Sequence, residues 1–210
     1  MIEINHISEE LPYLIFKKKY EQAVNAGQKN IEAISISSYN KELDLVDSRF
    51  VNLKFINNKN FIFFSNYNSP KSLAFKSKNQ ISALIYWSST NIQIRMRACI
   101  KKTTAEYNKN YFKKRSKNKN AIAISSNQSD PISSFEDIQK NYLNSINDDN
   151  LKDCPDYWGG FSFAPYFFEF WEGHEHRLNK RDVYEKIGND WNHFIVQPWS
   201  KMIYEITQLV

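Results

Sequence analysis

Apolar residues recur every three to four positions in several parts of the chain, which predicts amphipathic helices there. The predicted helices cover residues 13–26, 70–78, 104–126 with a break near Ser116, and 134–147. Gly27 follows the first helix as a stop signal. Ser69 and Pro70 open the second helix, because serine is a preferred N-cap and proline a preferred first helical residue.

Between the helices, apolar and polar residues alternate with a period of two, which predicts β-strands. The clearest alternation places Ile92, Ile94, Met96 and Ala98 on one face and Gln93, Arg95 and Arg97 on the other. Further strands are predicted over residues 31–37, 48–55, 61–67, 80–87, 161–171, 182–187 and 191–196. Strands at this close spacing, with helices between the hairpins, favour a mostly antiparallel β-barrel with peripheral helices over a doubly wound sheet.

The chain has 210 residues, of which 41% are hydrophobic, so it is long enough to bury a core. We expect one domain over residues 1–210, with an N-terminal arm at 1–12 and a C-terminal extension at 199–210. No apolar run approaches the roughly 18 residues that a membrane helix needs, and no secretory signal is visible. Cys99 and Cys154 lack CxxC spacing and are typical of free thiols in a reducing compartment, which predicts a cytoplasmic protein; a single disulfide is the alternative.

The net charge narrows the class of partner. The chain carries 28 Lys and Arg against 23 Asp and Glu, a formal charge of +5, which favours anionic partners. The basic stretch 113–120 has two interpretations, a nucleic-acid patch or the solvated surface of a helix. No nucleic-acid motif accompanies it, so we expect small phosphates rather than nucleic acid.

The start of the second predicted helix is a candidate phosphate site. Ser69 and Lys71 lie at this helix start, where free N–H groups and the helix dipole favour an anion. Arg49 and Lys54 on a preceding strand could add charge. The alternative is a capped helix with solvated lysines.

Two histidines form a second candidate site. His174 and His176 would face the same side of a strand, as a pair of metal ligands does. The spacing suggests no third ligand, and exposed strand histidines are commoner than metal sites, so we predict no metal. With five glycines in the chain, a glycine-rich phosphate loop is not expected.

Seven segments occur in an order that is typical of one protein family. They are RFVNLK, FFSNYNSPK, IQIR, YFKKR, SNQS, WGGF and EFWEGHEHRLNKR. In this order they resemble the pyridoxamine/pyridoxine 5'-phosphate oxidase family, over about residues 10–198. The resemblance implies an FMN-binding split β-barrel that forms a homodimer, with two flavin mononucleotide (FMN) sites at the subunit interface.

The resemblance also implies which residues bind FMN. The positions carried over are Arg49, Phe50, Val51, Asn52, Leu53, Lys54, Phe64, Ser65, Lys71, Gln93, Gln128, Ser129, Trp171 and Arg181. In this interpretation Arg49 and Lys71 neutralise the FMN phosphate. Gln93 hydrogen-bonds the isoalloxazine ring, and Trp171 packs against its apolar edge.

The family reaction oxidises pyridoxine 5'-phosphate or pyridoxamine 5'-phosphate to pyridoxal 5'-phosphate, with O2 as the final acceptor. The resemblance places the substrate at Lys54, Tyr111, Arg115, Lys119, Arg177 and Asn179. Of these, Tyr111, Arg115 and Arg177 are the implied catalytic residues. Tyr111 and Arg115 are four residues apart, so one helical face could present both to a substrate phosphate.

The chain departs from the family pattern mainly at the substrate positions. Pro70 stands where the family has a basic residue, Lys119 where it has a serine, and Asn179 where it has a histidine. The family's N-terminal Arg-Arg-x-Tyr segment has no counterpart in residues 1–12. We expect the phosphate oxidase activity, with two alternatives: a paralogous FMN oxidase that acts on another heterocycle, such as a phenazine-like substrate, and a flavin-binding protein without turnover.

Overall fold

The computed structural model describes residues 1–147 and 150–198, so the predicted extension at 199–210 lies outside the described residues. The described strands are β1 Glu3–Ile7, β2 Ala33–Asn40, β3 Leu45–Asn58, β4 Asn60–Asn66, β5 Gln80–Trp87, β6 Ile92–Lys102, β7 Trp158–Glu172, β8 Lys180–Ile187 and β9 Asp190–Ile195. The described α-helices are α1 Leu11–Asn25, α2 Pro70–Ser77, α3 Ala105–Lys114, α4 Lys117–Ser125 and α5 Phe135–Ser145. All the predicted helices and strands are present, with small differences at their ends.

Six strands form a closed ring of hydrogen-bonded neighbours. Their order is β3-β2-β5-β6-β7-β4, and β4 closes the ring by pairing with both β7 and β3. Every pair in the ring is antiparallel. β8 and β9 extend the sheet from the second half of β7. The predicted architecture of mostly antiparallel strands with peripheral helices is therefore confirmed.

The first residues of the chain contain a strand that the sequence analysis did not predict. β1 runs parallel to the end of β3, with Glu3 opposite Phe55 and Ile7 opposite Asn58. The Tyr20 hydroxyl fixes this strand to α1, because it donates to the carbonyl of Ile2 at 3.1 Å and accepts from its N–H at 3.0 Å. The sheet is therefore mixed at this one edge.

The core lies inside the ring and is largely aromatic. Its largest members on the sheet are Trp87 and the phenylalanines at positions 61, 63, 163, 168 and 170, all at most 1% exposed. Helix α1 covers the core, and its Phe16 ring meets Phe61 edge-on at 5.0 Å between centroids. Val24 lies eight residues after Phe16, a spacing that puts both on one helical face, but its side chain is exposed at 37%. The apolar face predicted for β6 is buried, so its polar face points out of the ring.

The remaining helices lie at the periphery. Helix α2 begins at Pro70 as predicted, and the predicted break near Ser116 separates α3 from α4. None of the helices in the described ranges combines the length and the apolar character that crossing a lipid bilayer requires. Cys99 and Cys154 are both free thiols, as the spacing predicted.

Candidate functional site

One cavity collects many of the residues that the family resemblance singled out. It has a volume of about 350 Å³ and lies between β3, β4 and helices α2 to α4. Its lining residues are Phe50, Val51, Asn52, Lys54, Phe64, Ser65, Lys71, Tyr111, Arg115, Lys119, Gln128 and Trp158. Four of these residues are cationic and none is a carboxylate, so the cavity favours an anionic ligand.

Lys71 is a buried cation with neutral partners on the α2 side of the cavity. Its Nζ donates to Ser65 Oγ and Ser69 Oγ, both at 3.0 Å, and the residue is 7% exposed. Within residues 1–147 and 150–198, Lys71 makes no ion pair. Burial, assisted by the nearby charge of Arg49, lowers the pKa of Lys71 to about 8. Because a buried charge without a counter-charge is costly, this position suits a bound anion.

The hydroxyl groups around Lys71 are themselves held in place. Ser69 precedes α2, but its hydroxyl does not cap the helix; it donates to the Asn66 carbonyl at 2.7 Å. Gln128 Oε1 accepts from Ser65 Oγ at 3.0 Å and from the Asn66 N–H at 3.2 Å. Both serine hydroxyls therefore donate to oxygen atoms of the protein, and the group that this side of the cavity can offer to a phosphate ester is the Lys71 ammonium, which has a third N–H.

Eight of the fourteen carried-over FMN positions line this cavity, and Arg49, Leu53 and Ser129 are among the six that do not. Arg49 Nη1 donates to Ser38 Oγ at 2.7 Å, and Arg49 Nη2 lies 3.7 Å from a carboxylate oxygen of Asp47. The Leu53 side chain is fully buried in the core. Ser129 lines a neighbouring cavity beside α4 and α5 and has a φ of +77°.

Arg115 is a second partly buried cation of the cavity lining. Its guanidinium lies 4.4 Å from the centroid of the Trp158 ring, and its Nη2 donates to the Lys119 carbonyl at 3.0 Å. Its Nη1 is buried and has no hydrogen-bond partner among the described residues. Burial lowers the pKa of Arg115 and of Lys54, and for Lys54 the charges of Lys119 and Arg115 act in the same direction. A bound anion would satisfy the free donor and offset this repulsion.

Trp158 is a cavity residue that the sequence analysis missed. Its ring stacks on Phe64 at 5.1 Å between centroids, with 10° between the ring planes. The Phe64 ring stacks in turn on Tyr111 at 4.1 Å. The available signal was its position before Gly159 in the WGGF segment. A Cβ at Gly159 would lie 2.1 Å from the Tyr67 hydroxyl, so the glycine permits this close packing beside the cavity.

A second group of the carried-over residues forms a row across β6, β7 and β8. Gln93 is paired with Trp171, and Trp171 is paired with Arg181. This row lies on the outer side of the ring, because the neighbouring Ile94 and Phe170 are buried in the core. None of the three residues lines the cavity that contains Lys71 and Arg115. The structure therefore separates the carried-over residues of one chain into two groups.

Arg177 and Asn179 lie in the connection between β7 and β8. The prediction that His174 and His176 lie on a strand is wrong, because Glu175–Arg177 forms a 3₁₀ turn. His176 and Arg177 have φ values of +56° and +60°, a conformation that is uncommon outside glycine. The Asn179 side-chain oxygen accepts from the His174 N–H at 3.2 Å. This hydrogen bond links the beginning of the connection to its end.

Curated proteins resemble this chain in sequence over most of its length. The family model described as the pyridoxine 5'-phosphate oxidase C-terminal dimerisation region matches residues 158–198. The pyridoxine/pyridoxamine 5'-phosphate oxidase 1 of Hydrogenovibrio crunogenus is 32% identical over 181 residues, which cover 85% of this chain and 83% of that protein. The corresponding oxidase of Legionella pneumophila (strain Paris) is 33% identical over 194 residues, with coverages of 91% and 89%.

Two solved structures have a similar fold. PhzG from Burkholderia lata 383, in complex with tetrahydrophenazine-1-carboxylic acid, has a TM-score of 0.82 and 24% identity, covering 89% of this chain and 92% of that one. A pyridoxamine 5'-phosphate oxidase-related, FMN binding protein from Nostoc punctiforme has a TM-score of 0.73 and 10% identity, covering 87% and 97%. At these identities, the two structures establish the fold alone.

Proposed function

The chain belongs to the pyridoxine/pyridoxamine 5'-phosphate oxidase family, and from this we propose that it is an FMN-dependent oxidase that converts pyridoxine 5'-phosphate or pyridoxamine 5'-phosphate to pyridoxal 5'-phosphate. The observation that carries the proposal is the charge of the cavity. Lys54, Lys71, Arg115 and Lys119 line it without a carboxylate among the lining residues. One phosphate from FMN and one from the substrate would match this charge.

The residues around Lys71 fit the FMN phosphate. The buried ammonium lacks a counter-charge in the described part of the chain, and Ser65 and Ser69 already orient it. Bound there, FMN would supply the hydride acceptor and the reactivity toward O2. Pro70 offers no second cation, so Lys71 would carry most of the charge neutralisation.

The residues around Arg115 fit the substrate phosphate. Tyr111 and Arg115 share a wall of the cavity with Lys54 and Lys119, and burial of Arg115 strengthens its interaction with an anion. Fixing the phosphate at this point would hold the substrate ring in one orientation, which favours the reaction through proximity rather than through proton transfer. Lys119 replaces the family's serine with a charged donor, so it would retain phosphate binding.

We propose further that each site is completed by a second subunit of a homodimer. The row of Gln93, Trp171 and Arg181 is absent from the cavity lining, although the family places it on the flavin. Trp171 and Arg181 both lie within the matched dimerisation region at residues 158–198. A two-fold arrangement would bring the row of one subunit to the cavity of the other.

A paralogous oxidase that acts on another heterocycle is the second candidate. The observation that favours it is the Asn179 side chain, which binds the His174 N–H at a position where the family has a substrate-site histidine. The cofactor residues are unaffected by this difference. The two candidates therefore predict the same flavin and different substrates.

Anaerobic mixing of the FMN-loaded protein with pyridoxine 5'-phosphate or pyridoxamine 5'-phosphate tests the proposal. We expect the visible flavin absorbance to bleach and to recover when air is admitted. Unphosphorylated pyridoxine is the matched control and should bleach the flavin far more slowly, since it lacks the group that Arg115 and Lys119 would bind. A flavin that binds and stays oxidised with both phosphate esters would contradict the proposed substrate, and reduction by a phenazine-type compound would then support the second candidate.

A further inference from the structure

Glu169 is a buried carboxylate that lies between two arginines on the outer side of β7. It is 3% exposed. One oxygen, Oε1, accepts from Arg181 Nε at 2.8 Å and lies 2.7 Å from Arg181 Nη2. The other oxygen, Oε2, accepts from Arg95 Nε at 2.9 Å and also contacts Arg95 Nη2. Each carboxylate oxygen of Glu169 therefore accepts hydrogen bonds from one guanidinium group.

These contacts fix the orientation of the Arg181 side chain. Its Nε and Nη2 engage Glu169, and its Nη1 donates to the Gln197 carbonyl at 3.3 Å. A fork-shaped guanidinium held on two sides has little rotational freedom left. Glu169 stays ionised in this environment: burial alone would raise its pKa, but the hydrogen bonds and charges of Arg95 and Arg181 lower it overall.

The ion pairs of Glu169 are not explained by the stability of the folded protein alone. A buried ion pair is often no more stable than apolar residues of the same volume, because desolvation offsets the attraction. Glu169 lies two residues before Trp171 on β7, so both side chains face outward beside Arg181. The carboxylate is thus adjacent to the row that the family places on the flavin.

We propose that Glu169 is a positioning residue for the cofactor and acts by holding Arg181 in the orientation that meets the flavin. The inference rests on the proposed function, because the role of Arg181 comes from the family. Arg95 balances the charge of the same carboxylate from the other side. Removing the Glu169 carboxylate would therefore leave the Arg181 guanidinium held only by the Gln197 carbonyl of the contacts described above, whereas removing Arg95 would leave the contact between Glu169 and Arg181 in place.

Four variants of the full-length protein test this role: E169Q, R95Q, R181Q and the double variant with E169Q and R181Q. The main readout is the Kd for FMN from fluorescence titration, and the visible circular dichroism of the bound flavin is the second. We expect E169Q to raise the Kd about tenfold, by analogy with metal sites, where removing a partner that orients a ligating side chain weakens binding by roughly 10–100-fold. R95Q is the matched control, since it breaks an ion pair to the same carboxylate, and it should raise the Kd much less.

The double variant separates a positioning role from a structural one. If Glu169 acts through Arg181, then E169Q adds no more than about twofold to the Kd of R181Q, and the flavin dichroism of the two is the same. The inference would be overturned if the increase in Kd of the double variant equalled the product of the increases in E169Q and R181Q. It would also be overturned if E169Q and R95Q raised the Kd equally. Glu169→Asp takes the place of E169Q if that variant does not fold, with the same comparisons.

FMN binding and turnover by the wild-type protein distinguish a failure of this inference from a failure of the proposed function. If the protein binds FMN but oxidises neither phosphate ester, the proposed substrate fails, and the Glu169 comparisons still decide the positioning role. If it binds no FMN, both proposals fail together. If FMN binds and E169Q binds it with unchanged Kd, the positioning role alone is refuted.

Discussion

Replacing Lys71 with methionine perturbs the most buried cation of the cavity at almost constant volume. Its pKa falls from the ordinary 10.5 to about 8 in the folded protein. Each pKa unit corresponds to about 1.4 kcal/mol, and the pKa of Lys71 falls by more than two units. The charged lysine therefore destabilises the cofactor-free protein by on the order of 3 kcal/mol. Methionine removes the charge and gives up the hydrogen bonds to Ser65 and Ser69. We therefore expect cofactor-free K71M to be more stable than the wild type near neutral pH.

The pH dependence has a definite sign. Because the folded pKa of Lys71 lies below the unfolded value, the destabilisation is fully present below about pH 8. Above this pH the folded state has released its proton while the unfolded state still binds one, so the stability of the wild type rises between about pH 8 and 10.5. K71M should lack this rise. FMN binding has the opposite trend, since the phosphate requires the ammonium, and wild-type affinity should fall above about pH 8.

Urea unfolding of the cofactor-free proteins and fluorescence titration with FMN measure both effects. Lys76→Met is the matched control, because Lys76 is exposed on the same helix. We expect K71M to weaken FMN binding by about 1.5–3 kcal/mol, the usual value of a charge-assisted hydrogen bond, and the control to leave it unchanged. An unchanged FMN affinity in K71M would refute the phosphate assignment. A loss of cofactor-free stability at neutral pH would refute the argument from burial.

Lys119→Ser restores the family's residue and removes an exposed cation from the cavity. The KM for a phosphate ester should therefore rise, while the Kd for FMN stays the same. An unchanged KM in steady-state kinetics would exclude Lys119 from the substrate site. Gly159→Ala should destabilise the protein by roughly 1–3 kcal/mol, since its Cβ would lie 2.1 Å from the Tyr67 hydroxyl and 2.4 Å from Asn108 Nδ2. A variant whose midpoint temperature of thermal unfolding equals that of the wild type would contradict this packing. Arg177→Ala should lower turnover with FMN still bound; full turnover would show that Arg177 does not contact the substrate.

The fold was predictable wherever alternation marks the boundary between the core and the outside. Ile94 and Met96 of β6 are fully buried, so the pattern of this strand reflects a real difference in environment. β1 was missed because its pairing depends on residues far away in the chain, the end of β3 and Tyr20 of α1. A five-residue strand whose partners are this distant has no local signature.

The site was predictable only as far as the family resemblance named its residues. Spacing alone could not show that Lys71 and Arg115 share a cavity, or that the row containing Arg181 lies elsewhere, because both facts come from tertiary packing. Glu169 had a signal that was overlooked, since it is two residues from Trp171 on one strand and must face the same side. Trp158 had a weaker one, because its stacking on Phe64 depends on the pairing of β4 with β7.

The proposed dimer, in which the row of one subunit meets the cavity of the other, has a genetic consequence. In a mixed dimer of one chain defective at Lys71 and another defective at Arg181, one site would combine both defects and the other would carry none. Two inactive proteins should then regain activity after subunit exchange, in roughly a quarter of all sites at equal amounts. Defects within one group, such as Lys71 paired with Arg115, should not complement each other. Alleles of this gene would therefore fall into two complementation classes that map onto the two halves of the site.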